Sequence, residues 1–446
     1  MTTSAAQLPI AVLGAGIAGL TAASALRRAN VPVICFEAGR QIAGLASSFR
    51  DEEGFNYDFG AHFITNRLAA AVGVGAACRV VGRYGETVRL GSRSYSYPLG
   101  MVTSPRFVRS AVVARLGAGA TRPASAADWF RRTYGQAFAD AVAIPLVEAW
   151  SGRPATELSS EVGEKIPGGV GRTVRLKLAG RLLGRAIAQG YCREQPEGIN
   201  VWHVYPEQGV HTICSALARD LEGSIRLESP VEAILVEDER VVAVRVQGRD
   251  IPVAAVFSTA PVHILARLVR GTSALQPLST FQYRPMVFIN LRLTGRGLLP
   301  DVVTWTPESR FPFFRLTEAT LSMPWLAPAG KTMITADIGC EVGDEYWRTP
   351  DDRLGELAVD ALDPIVPGVR RRYLGCRVLR TPIAYPIFLN QYEEARQRLM
   401  RTTGVGGLYS IGRNGEFAHI LMEDVYWRAR RAVRRALQEQ QLQSAA

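Results

Sequence analysis

The first forty residues pass from an apolar run through a glycine turn to a second apolar run, a pattern that predicts strand, helix and strand. LPIAVLG (residues 8–14) is short and apolar, IAGLTAASALRRAN (17–30) carries helix-forming alanines and leucines, and VPVICFE (31–37) is apolar again. Uninterrupted apolar strands joined by a helix predict a parallel sheet covered on both faces. Residues 86–200 differ. Helical stretches such as 126–142 are interrupted by Pro98, Pro105, Pro123, Pro145 and Pro154, and KIPGGVG (165–171) reads as a loop. Residues 117–127 (GAGATRPASAA) form the expected mobile loop. From residue 209 an amphipathic helix leads into β-rich runs that turn at Glu237-Asp238-Glu239-Arg240. Residues 280–385 are rich in aromatic and β-branched side chains and read as a mixed or antiparallel sheet. The chain ends with strand, glycine loop (GLYSIGRNG) and a charged helix.

Composition changes this picture in few places. A length of 446 residues is too long for one simple core, so two domains are expected. Residues 8–26 are uncharged over a length that could span a bilayer, but Arg27 and Arg28 follow the run rather than precede it. Its glycines suit a tight turn, so no membrane-spanning segment is expected. Of the 52 basic residues behind the net charge of +11, only Lys165, Lys177 and Lys331 are lysines, and the arginines are spread along the chain. That spread argues against a nucleic-acid partner and leaves an anionic small molecule or membrane surface. Cys35, Cys78, Cys192, Cys214, Cys340 and Cys376 have no paired spacing. They are expected to be reduced thiols of a cytoplasmic protein. His62, His203, His211, His263 and His419 never fall at metal-ligand spacing, so no metal is expected. Gly330-Lys331-Thr332 imitates the end of a P-loop, but Trp325 stands where the motif needs glycine.

The chemistry lies in Gly14-Ala15-Gly16-Ile17-Ala18-Gly19, a G-x-G-x-x-G turn between strand and helix. Gly14 permits the turn, Gly16 lets a pyrophosphate approach the backbone, and Gly19 lets helix pack on strand. Ile17 and Ala18 begin the helix, whose free N–H groups suit phosphate. Glu37 closes the second strand 18 residues after Gly19, where a carboxylate accepts hydrogen bonds from ribose hydroxyls and disfavours a 2′-phosphate.

Beyond Glu37 the chain resembles the FAD-dependent amine oxidase and protoporphyrinogen oxidase superfamily. Glu37-Ala38-Gly39-Arg40, followed by Ala43-Gly44-Leu45, resembles its second FAD signature. Leu45, where arginine is frequent, is similar to the protoporphyrinogen oxidase and UDP-galactopyranose mutase branch. Gly60-Ala61-His62 resembles the segment passing the isoalloxazine ring, Pro230-Val231 the adenine contact, and Ser258-Thr259-Ala260-Pro261 the diphosphate side of the sheet. Gly412-Arg413 with Met422-Glu423 resembles the C-terminal flavin motif. The resemblance implies an α/β fold with a Rossmann-type FAD domain (1–85, 201–275, 386–446). An α+β substrate domain (86–200, mostly helical, and 276–385, mostly sheet) would be interleaved with it. It implies FAD as cofactor and oxidation of a small lipophilic or amine-type substrate by hydride transfer to flavin N5. The alternative is a non-redox isomerase similar to UDP-galactopyranose mutase.

His62 is the catalytic candidate, either touching substrate or satisfying a backbone carbonyl. Trp305, Phe311, Phe313, Phe314, Trp325, Tyr385 and Phe388 are candidates for an apolar cavity, whereas Lys165 and Lys177 read as solvated. Arg172, Arg175, Lys177, Arg181 and Arg185 stand among leucines. Their alternation is strand-like, and weak peripheral contact with an anionic membrane is the expectation they raise.

Overall fold

A computed structural model describes residues 8–60, 62–97, 99–117, 123–165 and 170–445. Ala61, most of the 165–171 loop and residues 118–122 lie outside them.

The N-terminal pattern folds into a parallel sheet of five strands, ordered Ile225–Arg226, Val33–Phe36, Ile10–Leu13, Ala255–Ser258, Leu408–Ser410. Helix Ile17–Arg28 is buried along most of its length. It lies between this sheet and the C-terminal helix Met422–Ala445, which presents the small residues Ala429 and Ala436. Both faces of the strands are thus covered, which is why IAVL and AVFS are apolar throughout. Beside it, Val231–Glu237 and Arg240–Val246 form a hairpin in a four-stranded sheet. Its two-residue turn puts Asp238 at φ 47° and Glu239 at φ 58°, the left-handed pair whose twist matches the flanking strands.

The second large sheet has seven strands in the order Tyr373–Pro386, Tyr283–Thr294, Lys331–Gly339, Arg315–Thr317, Val303–Trp305, Glu86–Leu90, Arg93–Tyr97. Every adjacent pair is antiparallel except Val303–Trp305 with Glu86–Leu90, which run parallel and align Val303 with Glu86. Helix Asp351–Leu362 packs on this sheet, and Phe55 and Tyr57 fill a second cluster with Phe288 and Phe314. The segment expected to be mostly helical therefore opens with a hairpin. Helices follow at Pro105–Leu116, Ala126–Tyr134 and Ile144–Ser151. A widened π turn at Ala139–Ala143 precedes the last one. Pro145 near that helix's start lacks an N–H, and a wider turn relieves its clash with the preceding carbonyls.

Val170–Leu182 is a helix, contrary to its strand-like alternation. No strand is paired with it, and a surface segment without a sheet neighbour satisfies its backbone groups by coiling. Among its described side chains only Leu176 is buried. No helix among the described residues is long and apolar enough to cross a membrane.

Candidate functional site

Two cavities meet inside the molecule. The first, about 710 Å³, runs along the carboxyl ends of the parallel strands. Gly14, Gly16, Ile17, Ala18, Glu37, Ala38, Gly44 and Leu45 line it from the N-terminal unit. Val231, Thr259, Gly412, Arg413 and Met422 line it from distant parts of the chain, and His62 faces it too.

The glycines divide by what a Cβ would meet. At Gly19 a Cβ would lie 1.8 Å from the Gly14 carbonyl oxygen, and at Gly14, where φ is 95°, 2.2 Å from the Thr259 hydroxyl. Those two are required by the fold. At Gly16 and Gly44 the nearest atoms are 3.9 Å away, so a side chain there would project into the cavity instead. The helix starting at Ile17 has no side-chain cap, leaving its first N–H groups for an anion.

Glu37 lines this cavity just after strand Val33–Phe36. Its carboxylate accepts hydrogen bonds from the N–H of Ala15 (2.7 Å) and of Gly39 (2.8 Å). A carboxylate has about four lone-pair sites, so capacity remains for hydroxyls of a ligand. Buried polar atoms without partners face the same space: His62 Nδ1, Arg413 Nε and Asn414 Oδ1. Burial pushes the Arg413 guanidinium below its usual value, against the opposing influence of Tyr385. Bare backbone, an uncapped helix start, a ribose carboxylate and a desolvated arginine fit a dinucleotide carrying phosphates.

Three expected site residues stand elsewhere. Gly19 is buried behind the turn. Gly60, at φ 81°, makes room for Phe288 and for Arg315 Nη2, which a Cβ would meet at 3.0 and 3.3 Å. Glu423 is turned from the cavity into the protein, accepting from Thr65 Oγ1 (2.7 Å), Arg67 Nε (2.5 Å) and Trp427 Nε1 (3.2 Å). Burial and three donors make it a brace for the start of the C-terminal helix rather than a ligand contact.

The second cavity, about 810 Å³, lies between the seven-stranded sheet and the helices of residues 126–182. Tyr84, Tyr191, Trp305, Arg315, Tyr385 and His419 line both cavities and form the wall between them. Glu86 stands behind that wall, accepting from Tyr84 Oη (2.6 Å) and Trp305 Nε1 (2.9 Å). Burial, with the charge of Glu86, drives the Tyr84 and Tyr191 hydroxyls well above their usual range, so both remain protonated. Arg315 donates from Nε to Asp337 at 2.7 Å. Burial alone would weaken this guanidinium, but the adjacent carboxylate more than offsets it and holds it protonated.

Of the aromatic candidates, Trp305, Phe314 and Tyr385 line the second cavity. Phe311, Phe313 and Phe388 are core, and Trp325 packs at its edge beneath Arg79. Lys177 is not simply solvated: its Nζ donates to the Tyr97 carbonyl at 2.6 Å, and burial lowers its pKa. The side chain of Lys165 is outside the described residues. His62 lines the cofactor cavity but not the second one, and its Nε2 is 3.1 Å from the Phe59 carbonyl oxygen. Burial lowers its pKa and keeps the ring neutral. A ring nitrogen at the Phe59 carbonyl is the backbone-satisfying arrangement of the two expected for His62. The residues sequence reasoning missed are Tyr84, Glu86, Tyr191, Arg315 and His419. None belongs to a motif, and the alternation in ETVRL could at most have marked Glu86 as a strand residue.

A glycine-rich dinucleotide site thus shares a wall with a second, larger cavity. The model of flavin-containing amine oxidoreductases matches residues 117–437, and that of NAD(P)-binding Rossmann-like domains matches residues 12–70. The chain belongs to the flavin-containing amine oxidoreductase family, and its cofactor is FAD. Solved structures share the fold over nearly the whole chain. Reduced UDP-galactopyranose mutase matches with a TM-score of 0.78 at 19% identity, covering 97% of this chain and 96% of its own. A protein from Exiguobacterium sp. 255-15, provisionally assigned as a protoporphyrinogen oxidase, matches with 0.73 at 17%, covering 98% and 99%. Cyclohexylamine oxidase from Brevibacterium oxydans IH-35A matches with 0.71 at 14%, covering 98% and 100%. No curated protein sequence matches the chain.

Glu37→Gln is expected to weaken FAD binding by about 1–2 kcal/mol, because a charge-assisted hydrogen bond becomes neutral. The amide would also set a donor against the N–H of Ala15 or Gly39. Titration of the apoprotein with FAD measures this, and unchanged affinity would place the ribose elsewhere.

Proposed function

We propose that the protein is an FAD-dependent oxidoreductase acting on an amphipathic, anionic small molecule held in the 810 Å³ cavity. The wall shared by the two cavities carries this reading, because a substrate carbon and the cofactor can meet only across it. FAD supplies the hydride acceptor. The protein's own residues set what approaches. Val142, Leu146 and Val147 line the cavity together with the basic side chains Arg83, Lys177, Arg181 and Arg185. Among the described lining residues the carboxylates are Glu86, engaged by Tyr84 and Trp305, and Asp301, 3.5 Å from Arg83. A free ammonium group is therefore poorly served, and an anionic group on an apolar body is well served. Tyr84, Trp305 and Tyr385 exclude water at the wall, and Arg315 offers a fixed positive charge there.

The same cationic lining also favours a second reading, a non-redox transformation of a diphosphate-bearing sugar, in a fold shared with UDP-galactopyranose mutase. Anaerobic screening of anionic metabolites for bleaching of the flavin absorbance tests the first. Bleaching followed by stoichiometric consumption of an acceptor is expected. Product formation only by pre-reduced protein, without acceptor consumption, would replace it with the second.

A further inference from the structure

Helix Pro105–Leu116 buries none of its described side chains, although its sequence is half apolar. Val108, Val112 and Leu116 recur every fourth residue, with Val113 beside them, and Leu116 is 85% exposed. Across the molecule's helical part the same occurs at the end of Val170–Leu182, where Leu178 and Leu183 are exposed and Leu182 is 88% exposed. Both elements touch the substrate cavity's surroundings. Phe107 packs on Phe138, which lines that cavity, and Leu176, Lys177 and Arg181 line it directly.

Along the two segments themselves the charges are of one sign. Between Glu86 and Asp128 the sequence has six arginines and no carboxylate, and between Glu164 and Glu194 it has seven basic residues and none. Arg106, Arg109, Arg115, Arg175 and Arg181 are exposed. Exposed valines and leucines bordered by arginines call for a partner that offers apolar depth beneath anionic groups. A second copy meeting this face to face would set the arginines of the two helices against each other. A nucleic acid would leave the aliphatic side chains unburied.

We propose that helix 105–116 forms a docking surface for an anionic lipid bilayer. Val112, Val113 and Leu116 would enter the boundary between headgroups and acyl chains, with Arg106, Arg109 and Arg115 on lipid phosphates. This goes beyond the proposed oxidoreductase activity and is independent of it, because docking requires no turnover.

The test is co-sedimentation of FAD-loaded protein with vesicles of phosphatidylcholine alone or mixed with phosphatidylglycerol, at low and high salt. Binding to the mixed vesicles, weakened by salt, is expected. The triple variant Val112→Ser, Val113→Ser, Leu116→Ser should bind about tenfold more weakly or worse while keeping its FAD. These positions are exposed and outside both cavities, so retained flavin absorbance shows that the fold has survived. No sedimentation of the native protein with mixed vesicles at low salt would overturn the proposal. So would undiminished binding by the triple variant, or a native dimer that the variant turns into monomer.

Discussion

Asp337→Asn is expected to lower the stability of the FAD-loaded protein by about 3–5 kcal/mol, the largest effect of any single substitution considered for this site. Asp337 is fully buried on strand Lys331–Gly339, directly opposite Arg315 on the neighbouring strand. With only 16% of its side chain exposed, Arg315 has little water to replace a neutralised partner. It would be left as an uncompensated charge against Trp305, whose ring centroid lies 5.6 Å from its guanidinium carbon. The pair as a whole need not stabilise the fold, since desolvation of two charges offsets much of their attraction. Replacing both residues, Arg315→Met with Asp337→Leu, should therefore recover most of the loss. Denaturant unfolding of the three proteins measures this. A single-variant loss below about 1 kcal/mol would mean that water reaches the guanidinium. The comparison also bears on function, because the double variant would keep the fold while removing the fixed positive charge from the wall.

Acid sensitivity is expected to trace in large part to His203. Its ring is buried among Tyr191, Phe63 and Tyr84, with Nδ1 unpartnered. Burial pushes its pKa down to about 4, despite an opposing hydrogen bond to the Ile64 backbone. The unfolded chain titrates near about 6.5, so the fold favours the neutral ring. That preference costs nothing above about pH 6.5 and removes stability progressively as pH falls from there toward about 4. Between about pH 7.5 and pH 5 the expected loss is about 2 kcal/mol. His203→Phe keeps an aromatic ring in the cluster and removes the titrating group. It should cost about 1 kcal/mol at neutral pH for the lost hydrogen bond but flatten the decline. Denaturation midpoints of both proteins across this range separate the outcomes, and an equal decline in both would assign the acid sensitivity elsewhere. His62 and His263 are also lowered by burial, so the difference between the two proteins is the informative quantity.

Both experiments act at the same wall, of which Arg315 is part and on whose Tyr84 and Tyr191 His203 packs. Arg315 is set by strand register in the seven-stranded sheet. His203 belongs to a short strand, His203–Pro206, that pairs with Ile64–Thr65 just beyond His62. Neither position could be assigned a role before the chain was folded. Arg315 differs in no visible way from the other arginines of the sequence, and His203 sits in an apolar strand where a buried histidine is unremarkable as a pattern.

What the sequence determined by itself was everything governed by local backbone chemistry. Gly14 holds a φ of 95° at the turn, Gly19 leaves no room for a Cβ beside the Gly14 carbonyl, Glu37 ends the adjacent strand, and Asp238-Glu239 closes a two-residue hairpin. Such features involve residues close together in the chain, and their spacing carries the geometry. The FAD domain and its cofactor were legible for that reason. Beyond the aromatic candidates Trp305, Phe314 and Tyr385, the tertiary structure decided what lines the second cavity. The pair Tyr84 and Glu86 comes from a different segment than Tyr191 or than Trp305 and Arg315, and Glu86 meets Trp305 across 219 positions because strand Val303–Trp305 runs parallel to Glu86–Leu90. It also decided that Glu423 braces a helix rather than facing FAD, that His62 stands on the cofactor side, and that Val170–Leu182 coils despite its alternation. In each case the deciding quantity was a long-range packing or register choice, which a local pattern of polar and apolar residues does not encode.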